Sequence, residues 1–165
     1  MDAGDPTVRT LTGADREQAV RIINTAARWY AEFLPPDEVP DPEMTPEQWS
    51  AEAARMTWYG AEVEGVLRGV IGLEYVADVA LLRHWYVDPG HQRRGVGTLL
   101  REHLEAQVRG VDRIIAGTYA ANSRARRALE QAGYRPCTDS DVVLRTYYRI
   151  PDDRRTSSVT YECPV

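Results

Sequence analysis

The order of hydrophobic periods predicts an α/β fold of the α+β kind: a mixed sheet with helices on its faces. Three observations predict it. A short strand and two helical stretches open the chain, and three short strand-like runs then follow one another with turn signals between them. Strands joined that way pair antiparallel. Further on, two helical stretches alternate with strands, and strand–helix–strand units place their strands parallel. The chain has 165 residues, enough for one domain with its own core. The reading is a single domain over 1–165.

Thr7–Leu11 reads as a short strand. Thr12 caps a helix, with Asp15 three residues on in place of the usual Glu. Val20, Ile23, Ala27, Tyr30 and Leu34 form one stripe, which Pro35-Pro36 stops. Residues 35–46 carry five prolines and form a loop. Thr45-Pro46-Glu47-Gln48 is a second helix start, with Pro at the first position and Gln48 closing the capping box; that helix runs to about Met56. Trp58–Val63 and Val66–Tyr75 flank Glu64-Gly65, a hairpin signal. Val79–Val87 is a third strand of this group. Val96, Leu99, Leu100, Leu104 and Val108 restore helical spacing, and Gly110 ends that helix. Arg113–Tyr119 is a strand. Asn122 caps a short helix that Gly133 closes. Tyr134–Cys137 is a short strand, Asp139–Tyr148 fits helix or strand, and Ser157–Cys163 alternates as a final strand.

Composition narrows the function. All 20 basic residues are arginine, against 25 acids. A chain without lysine cannot be a Walker-type nucleotide-binding protein, a Schiff-base enzyme or a protein kinase. A formal charge of −5 argues against general nucleic-acid binding. Cys137 and Cys163 are too few for a disulfide scaffold and lack metal spacing. His84, Asp88 and His91 match no familiar metal motif, so no metal is expected. The start, Met1-Asp2-Ala3-Gly4-Asp5, is acidic and does not read as a targeting signal; no run approaches membrane-spanning length. A cytoplasmic protein without a membrane partner is expected.

The most informative stretch runs from Trp85 to Leu100. A strand enters a turn at Asp88-Pro89-Gly90, and a helix starts at or near Gly95. Glycines at 95 and 97 remove side chains where a ligand approaches the backbone. The free amides of a first helical turn, with the helix dipole behind them, make an anion site. From Arg83 to Arg101 there are four arginines and one acid, so the region is locally basic in an acidic chain.

Here the chain resembles the GNAT superfamily of acyl-CoA-dependent N-acetyltransferases. Gln92-Arg93-Arg94-Gly95-Val96-Gly97 matches that family's fingerprint, and Val87-Asp88-Pro89 precedes it at the family's distance. Asn122-Ser123-Arg124-Ala125 with Gly133-Tyr134 matches a second family signature, Tyr standing for Phe. Motifs and element order cover about residues 7–136; the segment 137–165 is less typical. The resemblance implies a mostly antiparallel sheet splayed after the fourth strand. It implies acetyl-CoA as co-substrate and direct attack of an amine in a ternary complex. It implies that the backbone of Trp85, Tyr86 and Val87 pairs with the pantetheine arm, and that amides from Gln92, Arg93, Arg94, Gly95, Val96, Gly97 and Thr98 hold the pyrophosphate. Asn122 would bond the cofactor near its cysteamine end, and Arg127, with Arg124 and Arg126, would neutralise the 3′-phosphate. Family members are often homodimers.

Two positions depart from the family pattern. Leu129 stands where a tyrosine acid is common, and Gly117 stands where some protein N-terminal acetylating members carry a glutamate base. Neither role carries over, which argues against that subfamily. Local reasoning names His84 as the base, since it lies on the thioester strand and its pKa range suits proton transfer. Alternation would place it on one face with Tyr86 and Leu82. Tyr119, at the end of the next strand, is the candidate acid. Residues 32–52 hold seven acids and no base; the resemblance implies that this region forms one wall of the acceptor site, and such a wall would attract a cationic amine. The expected acceptor is a small-molecule primary amine. Acetylation of a protein N-terminus or lysine, and a catalytically silent CoA-binding sensor, remain open.

Overall fold

The computed structural model describes residues 4–165; the first three residues of the acidic start lie outside the described residues. The chain forms two compact units. One runs through Glu74 and takes in Arg83–Gln107; the other comprises Tyr75–Leu82 and Val108–Val165. The strands are β1 (Thr7–Thr10), β2 (Thr57–Val63), β3 (Val66–Val76), β4 (Val79–Val87), β5 (Arg113–Tyr119), β6 (Arg135–Pro136) and β7 (Ser158–Pro164). The helices are α1 (Arg16–Ala26), α2 (Pro46–Ala53), α3 (Val96–Gln107), α4 (Ser123–Gln131), α5 (Ser140–Tyr147) and α6 (Asp152–Thr156). The sheet order is β1-β2-β3-β4-β5-β7-β6. β1–β2, β2–β3, β5–β7 and β6–β7 are antiparallel, and β4–β5 is parallel. The fold is the expected mixed, mostly antiparallel sheet with helices on both faces.

In the first unit both helix starts are capping boxes. Thr12 and Asp15 satisfy each other's backbone N–H groups, as do Thr45 and Gln48. Glu64 and Gly65 both have positive φ, the geometry of a tight hairpin turn between β2 and β3. Consecutive residues of β2 then face opposite layers. Trp58 stacks on Trp49 of α2, with ring centroids 5.3 Å apart, whereas Tyr59 meets His103 of α3 edge-on at 4.9 Å. His103 is thus a packing residue. Leu11, Ile23, Trp49, Met56, Trp58 and Val70 lie in the core on the α1–α2 side. On the α3 side the backbones come close: a Cβ at Gly69 would stand 2.9 Å from Leu100.

In the second unit Ala80, Leu81 and Leu82 of β4 pair with Ile114, Ile115 and Ala116 of β5. From Arg113 to Tyr119 the other edge of β5 pairs with β7. Val79, Leu81, Ile115 and Val143 form its core. The ambiguous stretch 139–148 becomes α5, because Asp139 caps it through the Val142 N–H and Ser140 Oγ accepts from Thr160 N at 2.9 Å. Sequence periodicity did not find α6, whose five residues are too few to show a 3.6-residue repeat. The first stripe also changes form: α1 ends at Ala26 and continues to Glu32 as a 3₁₀ helix, a frequent ending for α-helices.

Candidate active site

The turn between β4 and α3 is built from its side chains outward. Asp88 Oδ1 accepts from Gly90 N at 3.2 Å, and its Oδ2 faces Arg68 at 3.1 Å. Gln92 Nε2 reaches back to the Val87 carbonyl at 3.4 Å. Trp85 donates its indole N–H to the Gly97 carbonyl at 3.0 Å, pinning the start of α3 to the strand. Arg93 and Gly95 both have positive φ, 65° and 81°. Leu99 is the first residue of α3 whose N–H is taken up, by Gly95 at 3.0 Å. The amides from Gln92 to Thr98 have no acceptor among the described residues. Arg93 and Arg94 are exposed beside them. This is a helix N-terminus open to an anion, and it suits a pyrophosphate. At Gly95 the left-handed backbone keeps side chains off the approach.

Four residues before that turn, β4 breaks its own alternation. His84 has φ of 53°, a left-handed conformation uncommon outside glycine. The expected sharing of a face by alternation is therefore interrupted. Instead Arg83 and His84, neighbours in sequence, both turn to Glu52 of α2. Arg83 Nη2 lies 3.0 Å from Glu52 Oε1, and His84 Nε2 lies 2.8 Å from Glu52 Oε2. Arg83 also contacts Glu74 of β3 at 2.8 Å, and Arg55 contacts Glu74 at 3.3 Å. The His84 ring stacks on Trp58, centroids 5.1 Å apart. Burial lowers the His84 pKa below its ordinary value, although Glu52 pulls it the other way. Burial pushes the Glu52 carboxyl up, but His84, Arg83 and Arg55 outweigh it and hold it below the ordinary carboxylate value. The two buried atoms stand in close polar contact, although neither has a hydrogen-bond partner of good geometry among the described residues.

Two residues further on, the Tyr86 hydroxyl lies 2.7 Å from that of Tyr30 and 3.4 Å from Glu43. Burial, Tyr30 and Glu43 raise the Tyr86 pKa well above its ordinary value, so this phenol keeps its proton. Glu43 sits in the proline-rich loop, which Asn24 of α1 holds by two bonds to the backbone of Met44, 2.9 and 2.8 Å long.

The remaining sequence-named residues belong to the second unit. Tyr119 ends β5 with Arg154 over its ring at 5.3 Å. The Asn122 side-chain oxygen caps α4, accepting from Ala125 N at 3.2 Å. Arg126 is committed to Tyr161 and the Ala120 carbonyl, both at 2.9 Å, whereas Arg127 is exposed. Leu129 is buried in the core. At Gly117 a Cβ would meet the Tyr148 hydroxyl at 3.3 Å, so a tyrosine from the less typical C-terminal segment fills that space. Sequence reasoning missed Glu52, Arg83, Glu74 and Tyr148. The one available hint was that Glu52 lies three residues after Trp49, on the same helix face.

The chain matches the acetyltransferase (GNAT) family over residues 23–134, a span that contains both the open turn and His84. It is 34% identical over 88 residues to the [ribosomal protein bS18]-alanine N-acetyltransferase of Escherichia coli K12, covering 52% of this chain and 57% of that protein. The chain thus spans a little over half the length of the curated relatives first matched. Over 138 residues it is 28% identical to the phosphinothricin N-acetyltransferase of Streptomyces viridochromogenes, covering 77% of this chain and 73% of that one. The fold matches that of the PaiA N-acetyltransferase of Thermoplasma acidophilum, solved with coenzyme A, with TM-score 0.74, 17% identity and coverage of 98% and 99%. The relatives with the higher identity act on an alanine of a ribosomal protein. This corrects the expectation of a small-molecule amine as partner, which rested on the acidic wall; Glu43 and Glu52 of that wall are engaged with Tyr86, Arg83 and His84. Among the described residues no helix is long and apolar enough to cross a membrane. With the fingerprint turn, the sheet order and the family match in agreement, the chain belongs to the acetyltransferase (GNAT) family.

Proposed function

We propose that the protein transfers the acetyl group of acetyl-CoA to the terminal α-amine of a protein or peptide. The observation that carries the co-substrate is the open α3 N-terminus, with its run of unused amides between Gln92 and Thr98. The acceptor class comes from the relatives: alanine has no side-chain nitrogen, so an alanine N-acetyltransferase acting on a protein reaches the chain's α-amine. Bound acetyl-CoA supplies a thioester carbon that an uncharged amine attacks. The amides of Gln92 to Thr98, with Arg93 and Arg94, hold the pyrophosphate. The backbone of Trp85, Tyr86 and Val87 lies along the pantetheine, and the Val87 N–H is offered to the thioester carbonyl. Asn122 and Arg127 serve the cysteamine end and the 3′-phosphate. His84 takes the proton of the attacking amine, and Tyr119 is the proton donor to the leaving sulfur.

Cys137 is not offered as a covalent nucleophile. Burial raises its thiol pKa, and its sulfur sits 3.5 Å from the Glu162 carboxylate, so the thiolate is disfavoured. This leaves direct attack by the amine.

The test is thiol release from acetyl-CoA with three acceptors: a peptide with a free N-terminal alanine, an N-blocked peptide containing lysine, and phosphinothricin. The expected result is release with the first, with the acetyl group located on the α-amine by fragment masses. Release with phosphinothricin alone, or with no acceptor, overturns the reading.

A further inference from the structure

We propose that Glu52, backed by Arg83, is the positioning residue of His84. It fixes the ring as the Nε2–H tautomer and leaves Nδ1 as the nitrogen that accepts the amine proton. The proposal rests on the transfer reading above and deepens it by naming the atom and its support.

The geometry divides the work between the two carboxylate oxygens. Oε1 of Glu52 is held by Arg83 at 3.0 Å and by Arg55 at 3.5 Å. Oε2 is left for His84 Nε2 at 2.8 Å, and both of these atoms are buried. Their separation is that of a close polar contact, and neither atom has a hydrogen-bond partner of good geometry among the described residues. Arg83 is itself braced by Glu74, which also receives Arg55. The facing charges are therefore two carboxylates, Glu52 and Glu74, against two guanidinium groups, Arg55 and Arg83. The second ring nitrogen, Nδ1, has no partner among the described residues, and the side chain keeps 14% of its surface open. Trp58 fixes the ring plane from one face.

The positive φ at His84 makes this possible. Regular alternation would send Arg83 and His84 to opposite faces of β4, and one carboxylate would not hold both. In the reaction the amine nitrogen forms its bond to the acetyl carbon, and the carbon–sulfur bond breaks with its electron pair going to sulfur. The amine proton passes to Nδ1. The resulting imidazolium, with both nitrogens protonated, is stabilised by Glu52 through Nε2–H.

Glu52→Gln keeps the shape and removes the charge. Two readings test it. The first needs no substrate: nitrogen NMR of the ring, assigned with a His84→Gln control, should show the Nε2–H tautomer in the parent protein. In Glu52→Gln the tautomers should mix, and the His84 titration should move to lower pH, because the carboxylate that favours imidazolium is gone. The second is the pH profile of kcat/KM. Its plateau should fall about 10- to 100-fold in Glu52→Gln. Its acidic limb should move the same way as the NMR titration, and Glu52→Asp should recover part of the rate. An Nδ1–H tautomer in the parent protein, or an unmoved titration in Glu52→Gln, overturns the proposal. A uniform loss with an unchanged limb marks Glu52 as merely structural and overturns it too. If the NMR results come out as expected while no amine is acetylated, the transfer reading fails and the tautomer assignment stands.

Discussion

In the proposed reaction His84 takes the amine proton, and its environment sets the direction of two pH effects. Burial depresses its pKa, so the neutral, proton-accepting ring persists below the ordinary histidine value of 6.5. Activity should therefore rise with pH through a midpoint below 6.5 and level off by neutral pH. His84→Gln should lower kcat/KM by about 100- to 1,000-fold and abolish that acidic limb; full turnover with an unchanged profile would remove His84 from the mechanism. Stability follows the opposite protonation preference. Between 6.5 and the lowered native value the unfolded chain binds the proton more readily, so stability falls as pH falls through that window. Thermal unfolding of the parent and of His84→Gln across it should show the slope in the parent alone. The sequence pointed to His84 by its place on the strand before the turn. It did not point to Glu52, which lies 32 positions earlier and is one of seven similar acids.

At the level of elements, caps and turns were legible because they depend on neighbours in sequence. Thr12 with Asp15, Thr45 with Gln48, Asn122 with Ala125 and Glu64-Gly65 all adopt the local geometry their residue types favour. Gly117 was legible only as a departure from a pattern, and its physical reason lies 31 positions away in Tyr148. That contact predicts a coupling. Gly117→Val should cost about 1–3 kcal/mol through overpacking against the Tyr148 ring. In a Tyr148→Ala background the same change should cost less, measured by denaturant unfolding in a double-mutant cycle. Additive costs would mean that Tyr148 does not define the space at 117.

Across the whole molecule, acidity and the open turn pull against each other. The chain carries −5 formally, yet it gathers Arg93 and Arg94 beside unused backbone amides. Coenzyme A should bind there and raise the melting temperature, by the equivalent of about 2.7 kcal/mol at a hundredfold excess over Kd. Gly95→Ala should weaken that shift. Its φ of 81° costs a side-chain-bearing residue about 1–2 kcal/mol, and relief of that strain closes the amide cradle. An undiminished shift in Gly95→Ala would place the binding elsewhere. The missing lysine agrees with such a site, in which backbone and arginine supply every positive contact.

The sequence by itself determined the element order as far as α4, the caps, the turn before α3 and the chemistry excluded by having no lysine. These depend on residue type and on spacings of a few positions, where backbone geometry is nearly invariant. The tertiary structure decided what His84 touches, which acids of the 32–52 wall are already engaged, and what fills the space at 117. Those outcomes depend on a left-handed residue inside a strand and on contacts between distant segments. A one-residue change in strand register reverses which face a side chain joins, and periodicity along the chain carries no record of that break.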